Sequence, residues 1–206
     1  MSRVDEKKLQ KRNSLLQTAF ELFTTKGVGN TSISDIADRA GVAKGTFYLY
    51  FRDKIDIKNK LIGHKTEKLF EKAVEALEKE PQKTFTDKVI FVVNNIIDQL
   101  VENQALLLFI SKNLSWGIFK NLIDSGEKGT SEQGIAAAFE KIISEEGDNL
   151  ESPEIMFYMI CEFVSSVSYS PILYKEPVLI DDLKPHIFRT VRNIIAQYQK
   201  VPDKTE

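Results

Sequence analysis

The feature that most constrains this chain is an apolar spacing of 0, 3, 4 and 7 that restarts after each interrupting glycine. Leu16, Ala19, Phe20 and Phe23 hold that spacing, and so do Ile33, Ile36, Ala37 and Ala40. Residues so placed share one side of an α-helix, whereas in a strand they would be split between its two faces. The first stripe predicts a helix ending near Lys26, whose cation suits the negative end of the helix dipole, before Gly27 and Gly29 stop it. Ser32 opens the second: its hydroxyl can cap, and Asp35 three positions on can reach back, a capping box with Asp in place of Glu. Gly41 ends that short helix, and a third is predicted over residues 43–50.

Beyond Asp53 the same period runs on longer. Residues 55–78 carry Ile55, Leu61, Ile62, Leu69, Phe70, Ala73, Val74 and Leu77, and Pro81 breaks the pattern. Further helices are predicted over 86–103, 106–122 (apolar nearly all round and therefore buried), 134–144, 154–169 behind Ser152 and Pro153, and from Asp181 or Asp182 to Gln199. Residues 177–180 are the one strand candidate, too short to build a sheet. The fold class predicted is all-α.

Composition narrows the functions. Hydrophobic residues make up 42% of 206, enough for a proper core, and the 28% charged are spread along the chain. Residues 1–54 carry ten Lys/Arg against six Asp/Glu, residues 55–206 eighteen against twenty-four, so a basic head precedes an acidic body. That asymmetry points weakly to a polyanion at the head. Cys161 is the single cysteine, which leaves no intrachain disulfide and suits a core filler. The charged N-terminus is not followed by an apolar stretch, and no run approaches the ~20 apolar residues of a membrane span, so a soluble, cytoplasmic protein with no membrane partner is expected. His64 and His186 stand apart, each without a nearby His, Cys or carboxylate pair, and no phosphate loop, HExxH or nucleophile elbow occurs. We therefore expect no catalytic residue, metal or cofactor, with His64 exposed on the long helix and His186 on a helix face or at a dimer edge.

Two short helices around Gly41-Val42 have the spacing of a helix-turn-helix, in which the second helix lies in the major groove and the first crosses the backbone. Lys44 can donate to guanine O6 or N7, or to a phosphate, and Thr46 can bond a phosphate or touch a thymine methyl. Gly45 lets the helix approach a duplex closely, at about 1 kcal/mol of helix propensity relative to Ala. Tyr48 and Tyr50 lie roughly 200° apart and cannot meet the same feature, while Ala43, Phe47 and Phe51 form the core-facing stripe. Helix pairs that never touch DNA share this spacing.

The text itself is more specific. Thr31-Ser32-Ile33-Ser34-Asp35-Ile36-Ala37, then Ala40-Gly41-Val42-Ala43-Lys44-Gly45-Thr46-Phe47-Tyr48, with Phe51 and Lys54 closing, resembles the DNA-binding signature of the tetracycline-repressor (TetR) family. The likeness covers roughly residues 10–60. It implies a helix-turn-helix DNA-binding domain over 1–54 and a helical effector-binding and dimerisation domain over 55–206. It further implies that Lys44, Gly45 and Thr46 start the recognition helix, with Lys44 near base edges and Thr46 and Tyr48 on phosphates. Tyr50, where the family often has His, would be a further backbone contact. Ser32 and Ser34 would meet the backbone or a base, Lys54 a phosphate, and Lys7, Lys8, Lys11 and Arg12 could add an electrostatic arm.

The resemblance also implies a homodimeric repressor on a pseudo-palindromic double-stranded operator, released by a small-molecule effector. An activator, or a helical interaction protein of the same fold without DNA binding, are the alternatives. The dimer would use the last two helices, with Met156, Met159, Ile160, Phe163 and Val167, then Ile187, Val191, Ile194 and Ile195, although those stripes could equally face their own domain. For the effector pocket the candidates are Phe91, Phe109, Trp116 and Phe163 as walls and Asn95, Asn113, Glu162 and Tyr169 as polar anchors, a lining suited to a lipophilic ligand with an aromatic or acyl body.

Overall fold

A computed structural model describes residues 3–111 and 149–200 of the chain. Among the described residues there are eight helices: α1 (Arg3–Thr25), α2 (Ile33–Arg39), α3 (Lys44–Tyr48), α4 (Lys54–Lys79), α5 (Phe85–Glu102), α6 (Gln104–Ser111), α7 (Pro153–Tyr174) and α8 (Ile180–Tyr198). The helix expected over 134–144 and the later part of that over 106–122 lie outside the described residues. The protein is all-α: among the described residues the β pairing is one isolated bridge between Leu150 and Gln199, flanked by Glu151 N–H to Tyr198 O at 2.7 Å.

Local chemistry sets the helix ends. Thr24 and Thr25 donate their hydroxyls back to the carbonyls of Phe20 (2.7 Å) and Glu21 (2.6 Å) in the last turn of α1. Gly27 then turns the chain at φ 83°, and Gly41 does the same after α2 at φ 70°, where a Cβ would be strained. The capping box on α2 is present, with the Asp35 N–H donating to Ser32 Oγ at 3.0 Å and the Ser32 N–H to Asp35 Oδ2 at 2.8 Å. α3 is shorter than expected. Leu49 and Tyr50 leave it through turn bonds to the Thr46 and Phe47 carbonyls. Asp53 caps α4 through the Asp56 N–H at 2.8 Å, and Thr84 caps α5. α8 begins at Ile180, so Asp181 and Asp182 lie in its first turn, where acids suit the dipole, and residues 177–180 form no strand. α7 continues past Tyr169 with Pro171 buried inside it. Its 22 residues and mean hydropathy of 1.3 would permit a membrane crossing by length and composition alone. Met156, Ile160, Val164 and Ile172 are instead packed into a core.

Two apolar clusters organise the molecule. In the head, Leu15, Leu16, Ala19, Leu22 and Phe23 of α1 enclose Ile36, Phe47 and Phe51 together with Ile57, Leu61 and Ile62 of α4. The head core therefore continues two turns past residue 54. Phe109 of α6 joins it, stacked on Phe23 (centroids 6.3 Å apart, planes at 15°) and edge-on to Phe20 at 5.6 Å. The body core begins further along the same helix, at Leu69, Phe70, Ala73 and Val74, and takes in α5, α7 and α8. α4 is thus one rod shared by both cores. α7 and α8 pack against each other, and Lys184 of α8 pairs with Asp98 of α5 and Asp181.

Candidate nucleic-acid interface

Phe47 decides which way α3 faces. Its ring is fully buried, 5.5 Å from that of Phe51, so residues roughly 100° or 200° round the helix from it turn outward. Lys44 and Gly45 are exposed, Thr46 is half-buried, and Tyr48 is 52% exposed with its ring edge-on to Phe47 at 5.5 Å. Ala43, expected in the core-facing stripe, is exposed: as the N-cap it is extended rather than helical, which takes it off the stripe. Tyr50 is half-buried against the head core, 6.5 Å from the Phe51 ring.

Lys54 and Ser32 are tied into the scaffold beside α3. The Lys54 ammonium donates to the carbonyls of Thr31 (2.9 Å) and Gly29 (3.3 Å), which fixes the start of α4 to the loop that opens α2. Of its three N–H donors, one is left over for an outside acceptor. Ser32 is exposed, and its hydroxyl also donates to Asp35 Oδ2 at 2.7 Å, while Ser34 is half-buried in the first turn of α2. The Asp35 carboxyl is held below the usual range chiefly by the Ser32 backbone N–H, then by its hydroxyl, with Lys26 adding to it. The Asp53 carboxyl is held low in the same way by the Asp56 N–H. Both acids are thereby committed to caps. Arg39 meets Glu21 at 3.1 Å and joins α2 to α1, an exposed pair worth little by itself.

One exposed side chain here had no role in the sequence reading. Leu49, the C-cap of α3, is 79% exposed, the highest value for a large apolar residue among those described. Its position four residues after Gly45 is a signal that a helical projection of 43–50 carries.

The described effector candidates fall on α5, α6 and α7. Phe109 belongs to the head core and closes the junction between head and body. Phe163 and Tyr169 pack half-buried against the body core, Tyr169 with its ring 6.1 Å from Tyr174. Asn95 is half-buried and accepts from Gln99 at 2.8 Å, Phe91 is half-buried on α5, and Glu162 is exposed. Asn113 and Trp116 lie outside the described residues. Cys161 packs against the body core, where burial, then the Glu162 carboxylate, pushes its thiol up to about 12. His64 is half-buried where exposure was expected, because α1 and α4 pack together there. Its pKa is lowered by burial first, then by Lys68, Lys65 and Arg12. His186 is exposed on α8, 3.1 Å from the Arg189 guanidinium.

A short helix pinned by Phe47, presenting Lys44, Gly45 and Tyr48 outward behind a capped partner helix, defines a helix-turn-helix DNA-binding head. Residues 15–58 match the family profile described as bacterial regulatory proteins, tetR family. The chain is similar to the HTH-type transcriptional regulator YvdT of Bacillus subtilis, 52% identical over 44 residues that cover 21% of this chain and 23% of the relative. It is also similar to the HTH-type transcriptional repressor BepR of Brucella suis, 35% identical over 63 residues, 31% of this chain and 30% of the relative. The matches thus span less than a third of these relatives' lengths. The fold likeness extends further: the FadR transcriptional regulator of Bacillus subtilis, solved with stearoyl-CoA, superposes with a TM-score of 0.62 at 19% identity, covering 86% of this chain and 96% of that one. Over residues 15–58 the chain thus carries a DNA-binding head of the tetR-family type.

Proposed function

We propose that this chain is a ligand-responsive repressor that binds a pseudo-palindromic operator as a homodimer and releases it on binding a small lipophilic effector. The observation that carries the DNA reading is the outward face of α3, with Lys44, Gly45 and Tyr48 exposed while Phe47 locks the helix from behind. Lys44 is assigned to base edges. Thr46, Tyr48, Tyr50, Ser32, Ser34 and the third donor of Lys54 are assigned to the backbone, where they set register rather than sequence.

Dimerisation is assigned to α7 and α8. Met156, Ile160, Ile187, Val191 and Ile195 are buried within their own chain. The surface offered to a partner is therefore the outer side of α7, where Ile155 (52% exposed) and Met159 (40%) share a stripe with Glu162 and Ser166. A two-fold dimer would set its recognition helices about 34–36 Å apart, one turn of duplex. Cytoplasmic location follows from action on a bacterial operator.

The effector reading is supported by the body's apolar core and by the fold shared with a regulator crystallised with stearoyl-CoA, a ligand with an acyl body. Coupling would run through α4, because Ile57, Leu61 and Ile62 hold the head while Leu69, Phe70 and Ala73 hold the body on the same helix. Displacing that rod, or Phe109 beside it, alters the spacing of two heads, and a differential affinity of a few kcal/mol suffices to shift the population. The test is selection from a pool of randomised duplexes by the full-length protein. The reading expects an enriched site with two inverted halves about ten base pairs apart, centre to centre. Recovery of no sequence above the starting pool refutes it.

A further inference from the structure

We propose that Leu49 is a base-reading residue that seats its side chain on the C5-methyl group of a thymine in the major groove. This rests on the DNA-binding reading above, and it adds a specificity determinant that lies outside the Lys-Gly-Thr-Phe-Tyr run. Leu49 is left 79% exposed, although burying a leucine is worth about 1.5–3 kcal/mol. Its backbone is helical, at φ −73° and ψ −20°, so the spacing of α3 carries through it.

Gly45 sits one turn earlier on the same side. Its conformation does not require glycine: it lies outside the positive-φ positions, and a Cβ there would meet no atom within 4 Å. The fold would be better served by alanine at 45 and a polar residue at 49. Both choices that work against the isolated fold lie roughly 200° from Phe47, the residue that faces inward. Together they make a shallow step, open at Gly45 and floored by Leu49, with Lys44 and Tyr48, themselves one turn apart, along one flank of it.

A single apolar side chain rimmed by a cation and a phenol is a poor match for an apolar protein surface. It is a good match for a groove that offers hydrogen-bonding edges beside one methyl group, and thymine alone among the four bases carries that methyl. Gly45 supplies the clearance for the helix to come close enough for contact.

The test uses a duplex recovered from the randomised pool by the full-length protein. Each thymine in turn is replaced by deoxyuridine, which removes only the methyl. At one thymine per half-site the wild-type protein should lose about fourfold in affinity, the ratio for one buried methyl. Leu49→Ala should bind the two duplexes equally, and Leu49→Met, which keeps an apolar contact, should retain the ratio. Thermal melts check that both variants are folded, as expected for so exposed a position. The proposal is overturned if the wild type is indifferent to every deoxyuridine, or if Leu49→Ala keeps the fourfold ratio. A pool that yields no enriched duplex sinks the DNA-binding reading itself, whereas enrichment without methyl dependence sinks this inference alone.

Discussion

Gly45→Ala should make the protein more stable and a worse DNA binder. In a helix interior alanine exceeds glycine by about 0.5–1 kcal/mol, and nothing within 4 Å of the new Cβ opposes that gain here. Gly45 lies in the first turn of a five-residue helix, so the lower end, about 0.5 kcal/mol, is expected. For a chain of this size 1 kcal/mol moves Tm by about 2–4 °C, which puts the rise at roughly 1–2 °C. On DNA the sign reverses. The added methyl stands where the groove must approach, and a gap of about 0.5–1 Å forfeits a quarter to a half of each dispersion contact across the face. We expect about a tenfold loss of operator affinity, equivalent to about 1.4 kcal/mol. Differential scanning fluorimetry and fluorescence anisotropy on the same preparation measure the two halves. A lowered Tm would show that Gly45 serves the fold, and unchanged affinity would show that α3 does not approach the duplex by this face.

Other changes test other parts of the structure. Lys54→Met removes the charged donor that satisfies the Thr31 and Gly29 carbonyls and should cost about 1.5–3 kcal/mol in urea unfolding; a neutral result would mean these bonds hold nothing together. Phe109→Ala empties the ring site between Phe20 and Phe23, with an expected cost of about 3–5 kcal/mol, and uncoupled melting of head and body would be its signature in calorimetry. Ser32→Ala removes the α2 cap at about 1 kcal/mol. Because the folded Asp35 pKa is lowered, its contribution is present above the unfolded value of 3.8 and fades as pH falls through the folded one, and Ser32→Ala should weaken that dependence. His64 also has a lowered folded pKa, so the stability it supplies is present above pH 6.5 and is lost as pH drops through the folded value. His64→Gln should flatten chemical-denaturation stability across that window.

Much of the head was legible in the sequence because its signals are local. The 0, 3, 4, 7 stripes, the Ser32–Asp35 box and the positive-φ glycines are each decided within a few residues. What the sequence left open depended on which elements meet in space. Residue 54 looks like a boundary because a helix starts there, yet Ile57, Leu61 and Ile62 still belong to the head core, and Phe109 arrives from a helix far along the chain. His64 was read as exposed because its own helix says nothing about α1 packing beside it. The apolar stripes of α7 and α8 left open whether they face a partner or their own domain. Burial of Met156, Ile160, Ile187, Val191 and Ile195 shows that much of each stripe serves its own core. Pocket residues are the hardest to read from sequence, since an aromatic at helical spacing looks the same whether it lines a cavity or fills a core, as Phe109 does.

The central claim is that the outward face of α3 grips duplex DNA. It is tested most directly by titrating one recovered duplex against the wild type and against Lys44→Ala/Tyr48→Phe over a range of salt concentrations, with the body melting transition as a control. Log affinity of the wild type should fall linearly with log salt, as counterion release requires. The double variant should bind about tenfold or more weakly, with a shallower salt slope and an unchanged melting transition. Equal affinity and slope for the two proteins would show that the outward face of α3 does not hold the duplex.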